Sequence, residues 1–214
     1  MRTRIKFCGC TSAGDAEAAV GLGVDAIGVI FAPVSPRCVS APAALEIARA
    51  VPALTALVGV FVRPAAAHVR EALAAGYLPQ FHGDEAASDC EAMTAGPYIK
   101  VFHLSPEHGA RLDAAEFERQ AGRYERATWM FDTTVDGKAG GTGRTFDWEL
   151  ARDIARRHRV IVSGGLTPEN VGECVRRLRP YGVDVRSGIE TGGVKDVAKM
   201  RAFVRAVKEA DEQA

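Results

Sequence analysis

The sequence has no net charge, no long apolar run, no paired-cysteine motif and no low-complexity stretch, and each absence removes a class of function. Its 27 Lys and Arg residues are matched by 27 Asp and Glu residues, so no basic excess recruits nucleic acid or an anionic membrane. No apolar run approaches the roughly 20 residues of a membrane span, and the N-terminal MRTRIKFCGC has no signal-peptide core. The five cysteines, at 8, 10, 38, 90 and 174, are odd in number, scattered and free of any C-x-x-C pair. Together with the missing signal, that argues for reduced thiols and a cytoplasmic location. Cys8 and Cys10 lack obvious partner ligands, so no metal site is expected. A G-x-G-x-x-G fingerprint is absent after the first strand, which disfavours a dinucleotide fold. With no linker to divide 214 residues, the expectation is one domain over 1–214.

Ordinary globular composition (47% hydrophobic, 25% charged) is arranged as an alternation of strands and helices. Strand-like segments are Arg4–Cys8, Asp25–Phe31, Leu57–Val62, Leu78–His82, Tyr98–Leu104, Thr128–Asp132, Val160–Ser163 and Val183–Ser187. Helix-like segments follow them at Gly14–Leu22, Pro42–Ala50, Ala65–Ala75, Glu85–Ala95, Ala114–Arg123, Asp147–His158, Pro168–Leu178 and Lys195–Glu209. Alternation of this kind implies a parallel sheet with right-handed crossovers. Eight units favour a closed barrel over an open sheet, so the expected fold is α/β, a single (β/α)8 TIM barrel.

In such a barrel the functional residues stand at the C-terminal strand ends. The stretch from Val160 to Asp196 carries two of them, each a β-branched run closed by Ser-Gly: Ser163-Gly164-Gly165 and Ser187-Gly188. Bare backbone N–H groups there, backed by helix dipoles, make a cup for a phosphate dianion. The remaining strand ends bring Cys8, Arg37, His82 and Asp132 to the same side. Lys6 and Cys8 are two apart on one strand, so both point to one face, roughly 6–7 Å apart. An inward ammonium favours the Cys8 thiolate and needs a carboxylate partner. By the same parity Asp184 is the candidate.

The segments KFCGCT, GVIFAPVSPRCVS, QFHGDE, GGTGRTFDW, SGGLTPENV and SGIETGGVKD, in that order, resemble the phosphoribosylanthranilate isomerases of tryptophan biosynthesis from Ile5 to about Phe203. The resemblance implies an Amadori rearrangement of N-(5-phosphoribosyl)anthranilate to 1-(2-carboxyphenylamino)-1-deoxyribulose 5-phosphate, without metal or organic cofactor. It assigns Asp132 as the acid that opens the furanose and Cys8 as the base at sugar carbon 2. Asp132 then has to stay protonated near neutral pH. Arg37 matches the family's anthranilate contact, by stacking or by pairing the carboxylate. His82 suits substrate contact and a structural hydrogen bond equally well. Arg37, His82 and Asp184 are thus the candidate substrate contacts. The Ala139–Arg144 loop matches a family loop that grips phosphate, adding Gly141, Thr142 and Gly143 to Ser163, Gly164, Gly165, Ser187 and Gly188.

Cys10, Phe81 and Arg186 depart from the family pattern, and Arg186 is the one placed to alter substrate choice. Competing readings are a related phosphosugar barrel, either a ProFAR-type isomerase or a bifunctional one, and a non-catalytic phosphate-binding barrel. Cys8 speaks against the first, since those isomerases use a carboxylate there. Cys8 and Asp132 together speak against the second. The expected partner is a small phosphosugar, with no nucleic acid and no membrane, and the chain is expected as a monomer or homodimer.

Overall fold

Short runs rich in β-branched and aromatic residues form strands here, and segments rich in Ala, Leu, Glu and Arg form the helices between them. The computed structural model describes residues 2–103, 114–132 and 148–213. Its alternation runs β1 (Arg4–Cys8), α1 (Ala13–Gly21), β2 (Ala26–Ile30), α2 (Ala41–Ala50), β3 (Ala56–Phe61), α3 (Ala66–Ala74), β4 (Leu78–Phe81) and α4 (Ala87–Met93). It continues through β5 (Tyr98–His103), α5 (Ala114–Ala121), β6 (Ala127–Asp132), α6 (Trp148–Arg157), β7 (Val160–Ser163), α7 (Val171–Leu178) and β8 (Gly182–Val185). A 3-10 turn (Ser187–Ile189) and a hairpin of β9 (Glu190–Thr191) and β10 (Val194–Lys195) precede α8 (Val197–Glu212). Strands β1 to β8 form a closed barrel in sequence order. The expected (β/α)8 fold is the fold observed.

The chain groups into two compact units, and the first comprises Ile5–Val101 with Tyr124–Thr128. Its parallel register pairs Cys8 with Gly28, Ile30 with Val60, Phe61 with Phe81, and Phe81 with Lys100. A ladder of rings covers one face of these strands. Phe31 stacks on Phe61 at 5.3 Å, and Phe81 meets Tyr98 edge-on at 5.5 Å. This face is turned to the helices, because the Tyr77 hydroxyl donates to the Ala44 carbonyl of α2 and the Tyr98 hydroxyl to Glu91 of α4. Phe81, one of the departures from the family pattern, is a rung of this ladder and so belongs to packing.

The second unit comprises Met1–Arg4, Phe102–Arg123 and Trp129–Ala214. Trp129 pairs with Val160, Asp132 with Ser163, and Ile161 with Gly182. Phe117 meets Phe102, Trp129 and Phe131 edge-on at 5.1–5.7 Å. Helix α7 buries Val171, Cys174, Val175 and Leu178, the i, i+3, i+4, i+7 stripe of an amphipathic helix. Thr3 donates from its N–H and hydroxyl to Asp211 of α8 at 2.8 and 2.7 Å, tying the two ends of the described chain together.

Most boundaries shift by one or two residues, as helix and strand ends commonly do. Three differences have specific causes. Helix α7 begins at Val171, not Pro168, because the Asn170 side chain accepts from Thr167 N and donates to the Gly165 carbonyl, making a separate turn. Strand β8 stops at Val185 because Arg186 leaves the extended region, at φ −122° and ψ −79°. Helix α8 begins at Val197 because Asp196 caps it, accepting from Ala198 N and Lys199 N. Leu104, expected to end the fifth strand, lies outside the described residues.

Candidate active site

Cys8 closes β1 and is 6% exposed, with Lys6 on the same strand 4% exposed. A Cβ built on Gly28 would stand 2.8 Å from Lys6 Nζ and 3.0 Å from Cys8 Sγ. The ammonium and the thiol therefore share one face of the sheet and lie no further apart than the sum of those distances, as strand parity requires. Lys6 is buried and does not reach out to solvent. The backbone turns sharply just beyond, with Gly9 at φ +73° and the N–H groups of Gly9 and Cys10 both donating to the Gly28 carbonyl. Cys10 is fully buried, its thiol facing the Phe7 carbonyl at 3.9 Å. It fills space as a small apolar residue.

Arg37 is half-buried in a loop folded back along β2. Val39 N donates to the Ile30 carbonyl at 3.0 Å, and Arg37 N to Ser35 Oγ at 3.2 Å. His82 follows β4, and its N–H continues the strand pairing by donating to the Phe61 carbonyl at 2.8 Å.

Shortly after β4, Glu85 forms an ion pair with Lys100 of β5 that is not among the residues singled out from sequence. Lys100 Nζ and Glu85 Oε2 meet at 2.9 Å with both side chains 3% exposed. Glu85 also accepts from Arg63 N at 2.7 Å and Gly83 N at 3.3 Å, while Lys100 donates to the Gly83 carbonyl at 2.5 Å. Burial pushes the Glu85 carboxyl up, but the Lys100 hydrogen bond and charge and the Arg63 N–H outweigh it and hold the group below its ordinary value. At the surface, Arg63 binds Asp84 through two nitrogens and holds its carboxyl down to about 2. The readable signal is a lysine inside an otherwise buried strand, with the acid pair Asp84-Glu85 shortly after the neighbouring β4.

In the second unit, Asp132 ends β6 at 8% exposure, in register with Ser163 at the end of β7. Ser163 Oγ donates to Asp184 Oδ2 at 3.1 Å, and Asp184 is 5% exposed. A ring nitrogen of His103, at the end of β5, lies within 4.8 Å of an Asp132 carboxylate oxygen. From sequence the expected end of β5 is Leu104, so His103 carries no strand-end signal. Gly164 and Gly165 have φ of +93° and +63°, a conformation that a side chain disfavours. Gly188 packs against the same loop: a Cβ there would come 2.0 Å from the Leu166 carbonyl oxygen. Asp132, Ser163, Asp184, Gly164, Gly165, Ser187 and Gly188 are thus gathered on β6–β8 and the loops that follow. Gly141, Thr142 and Gly143 lie outside the described residues.

A closed eight-stranded parallel barrel with polar and ionisable side chains on its C-terminal strand ends is a (β/α)8-barrel enzyme. The chain belongs to the N-(5′-phosphoribosyl)anthranilate isomerase family, whose family model matches residues 5–206. It is 45% identical over 217 residues to the N-(5′-phosphoribosyl)anthranilate isomerase of Dechloromonas aromatica, covering 99% of each chain. The crystal structure of phosphoribosyl anthranilate isomerase from Thermotoga maritima is similar at a TM-score of 0.81 and 33% identity, covering 97% of this chain and 99% of that one. A further similar structure is a phosphoribosyl anthranilate isomerase in complex with reduced 1-(o-carboxyphenylamino)-1-deoxyribulose 5-phosphate, at a TM-score of 0.78 and 31% identity, covering 97% and 99%. Among the described residues no helix is long and apolar enough to cross a membrane.

Proposed function

We propose that this chain isomerises N-(5-phosphoribosyl)anthranilate to 1-(2-carboxyphenylamino)-1-deoxyribulose 5-phosphate, as a single barrel domain acting in the cytoplasm as a monomer or homodimer. The observation that carries the reading is the position of Cys8 and Asp132, each the last residue of its strand and each buried. Asp132 gives its proton to the furanose ring oxygen as the C1–O bond breaks and the anilino nitrogen forms a Schiff base. The Cys8 thiolate, favoured by the neighbouring Lys6 ammonium, takes the proton from carbon 2. The resulting enolamine tautomerises to the aminoketone. That last step adds a proton at carbon 1 and removes one from the carbon-2 hydroxyl. The Cys8 thiol can supply the first and the Asp132 carboxylate accept the second, which returns both to their starting forms and calls on no metal or organic cofactor.

Arg37 grips the anthranilate by ring stacking or by its carboxylate, and His82 and Asp184 line the sugar. Ser163, Gly164, Gly165, Ser187 and Gly188, with Gly141, Thr142 and Gly143, hold the phosphate by backbone N–H groups and hydroxyls. The test is turnover of enzymatically generated phosphoribosylanthranilate, followed by loss of its fluorescence. Cys8→Ser and Asp132→Asn are expected to lower kcat by about 10²–10⁴, the usual weight of a general acid or base. Wild-type turnover in both variants removes these residues from the chemistry, and a wild-type protein without turnover leaves only a phosphate-binding barrel.

A further inference from the structure

The sequence Glu190-Thr191-Gly192-Gly193-Val194-Lys195 between β8 and α8 is a hairpin with a two-glycine turn. Gly192 and Gly193 have φ of +60° and +83°, the positive values a type I′ turn demands. The register sets Glu190 opposite Lys195, and their side chains, 4% and 3% exposed, meet at 2.8 Å. Lys195 Nζ makes a second bond, to the Arg186 carbonyl at 3.3 Å. That same carbonyl accepts from Ile189 N and so closes the 3-10 turn carrying Ser187 and Gly188. From α8, Lys199 Nζ donates to the Glu190 carbonyl at 2.7 Å, and Thr191 Oγ1 to Asp196 Oδ2 at 2.7 Å. On its far side the turn is pressed against Leu166 by Gly188.

A buried ion pair is a poor choice if stability alone is wanted, because an apolar pair of the same volume does as well or better. Lys195 and Glu190 also cancel in charge, so together they add little net field at the phosphate end. What an apolar pair cannot supply is the extra N–H donor of an ammonium, directed here at the carbonyl that opens the turn. We propose that Lys195, held by Glu190, is a positioning residue that fixes Ser187 and Gly188 at the geometry needed to grip the substrate phosphate. The proposal rests on the phosphosugar reading above and extends it to residues that never touch the ligand.

The experiment measures KM and kcat for phosphoribosylanthranilate, the inhibition constant of inorganic phosphate, and the melting temperature. The proteins are wild type, Lys195→Met, Lys195→Arg and the double variant Glu190→Leu with Lys195→Met. Lys195→Met is expected to raise KM and the phosphate constant together, on the order of tenfold, the scale of one hydrogen bond to a charged group, with a smaller fall in kcat. Lys195→Arg, which keeps a donor, restores part of the loss. The double variant recovers the melting temperature towards wild type but keeps the raised phosphate constant. If it recovers both, or if Lys195→Met binds phosphate as wild type does, the pair serves packing and the proposal fails. If Lys195→Met does not fold, the double variant decides alone. A wild-type protein that neither turns over substrate nor responds to phosphate overturns the phosphosugar reading itself, and this inference with it.

Discussion

Gly28 shows how closely a single residue can be specified by its neighbours. It carries no reactive group, yet the point where its Cβ would stand is 2.8 Å from Lys6 Nζ, 3.0 Å from Cys8 Sγ and 3.1 Å from Cys8 Cα. The lysine tip can swing away, but the backbone of β1 cannot without disturbing its pairing with β2. Gly28→Ala is therefore expected to lower kcat by about tenfold or more while circular dichroism stays that of the wild type. A misplacement near 1 Å at a reacting group carries a cost of that size or larger. Unchanged kcat would mean that Cys8 tolerates displacement and does no chemistry. From sequence, Gly28 was one more glycine in GVIF. Its role depends on β2 lying beside β1 in a register that places it opposite Cys8.

At the scale of an element, the loop after β4 is tied down by a buried ion pair and its hydrogen bonds. Glu85 receives two backbone N–H groups and the Lys100 ammonium, all inside the protein. Its carboxyl stands below its ordinary value of 4.5, so its folded form is favoured above that pH and the benefit fades as pH falls through the folded pKa. Removing one partner of such a buried pair leaves an uncompensated charge, at a cost of about 3–5 kcal/mol. Glu85→Gln is therefore expected to unfold in less urea than wild type at neutral pH, and the gap is expected to narrow well below pH 4.5, where the wild-type carboxylate also protonates. A gap that stays constant across that range would show that shape, not charge, fixes this strand end. The starts of α1 and α8 follow a simpler rule: Ser12 and Asp196 are short polar residues whose side chains accept from the backbone N–H groups of the first turn.

For the whole molecule, the phosphate cup proposed above predicts that binding couples to stability. Inorganic phosphate at about ten times its dissociation constant adds ~1.4 kcal/mol to the folded state. For a chain of 214 residues that corresponds to a rise in Tm of about 3–6 °C. Differential scanning calorimetry in phosphate against chloride of equal ionic strength measures it. An equal rise in chloride would be a general salt effect and would count against the cup.

The sequence by itself determined the alternation of eight strands with eight helices, and with it the barrel, because strand and helix periods are local properties of residues a few positions apart. It also determined the identity of the family, carried by six ordered motifs, and the polar residues at most strand ends. Tertiary structure alone decided what depends on neighbours far apart in the chain. It set Gly28 against Cys8, placed Lys100 under Glu85, put a hydroxyl of β7 on Asp184, and folded Glu190–Lys195 into a hairpin whose lysine reaches back to Arg186. Those arrangements depend on strand register and loop path, which no local pattern encodes.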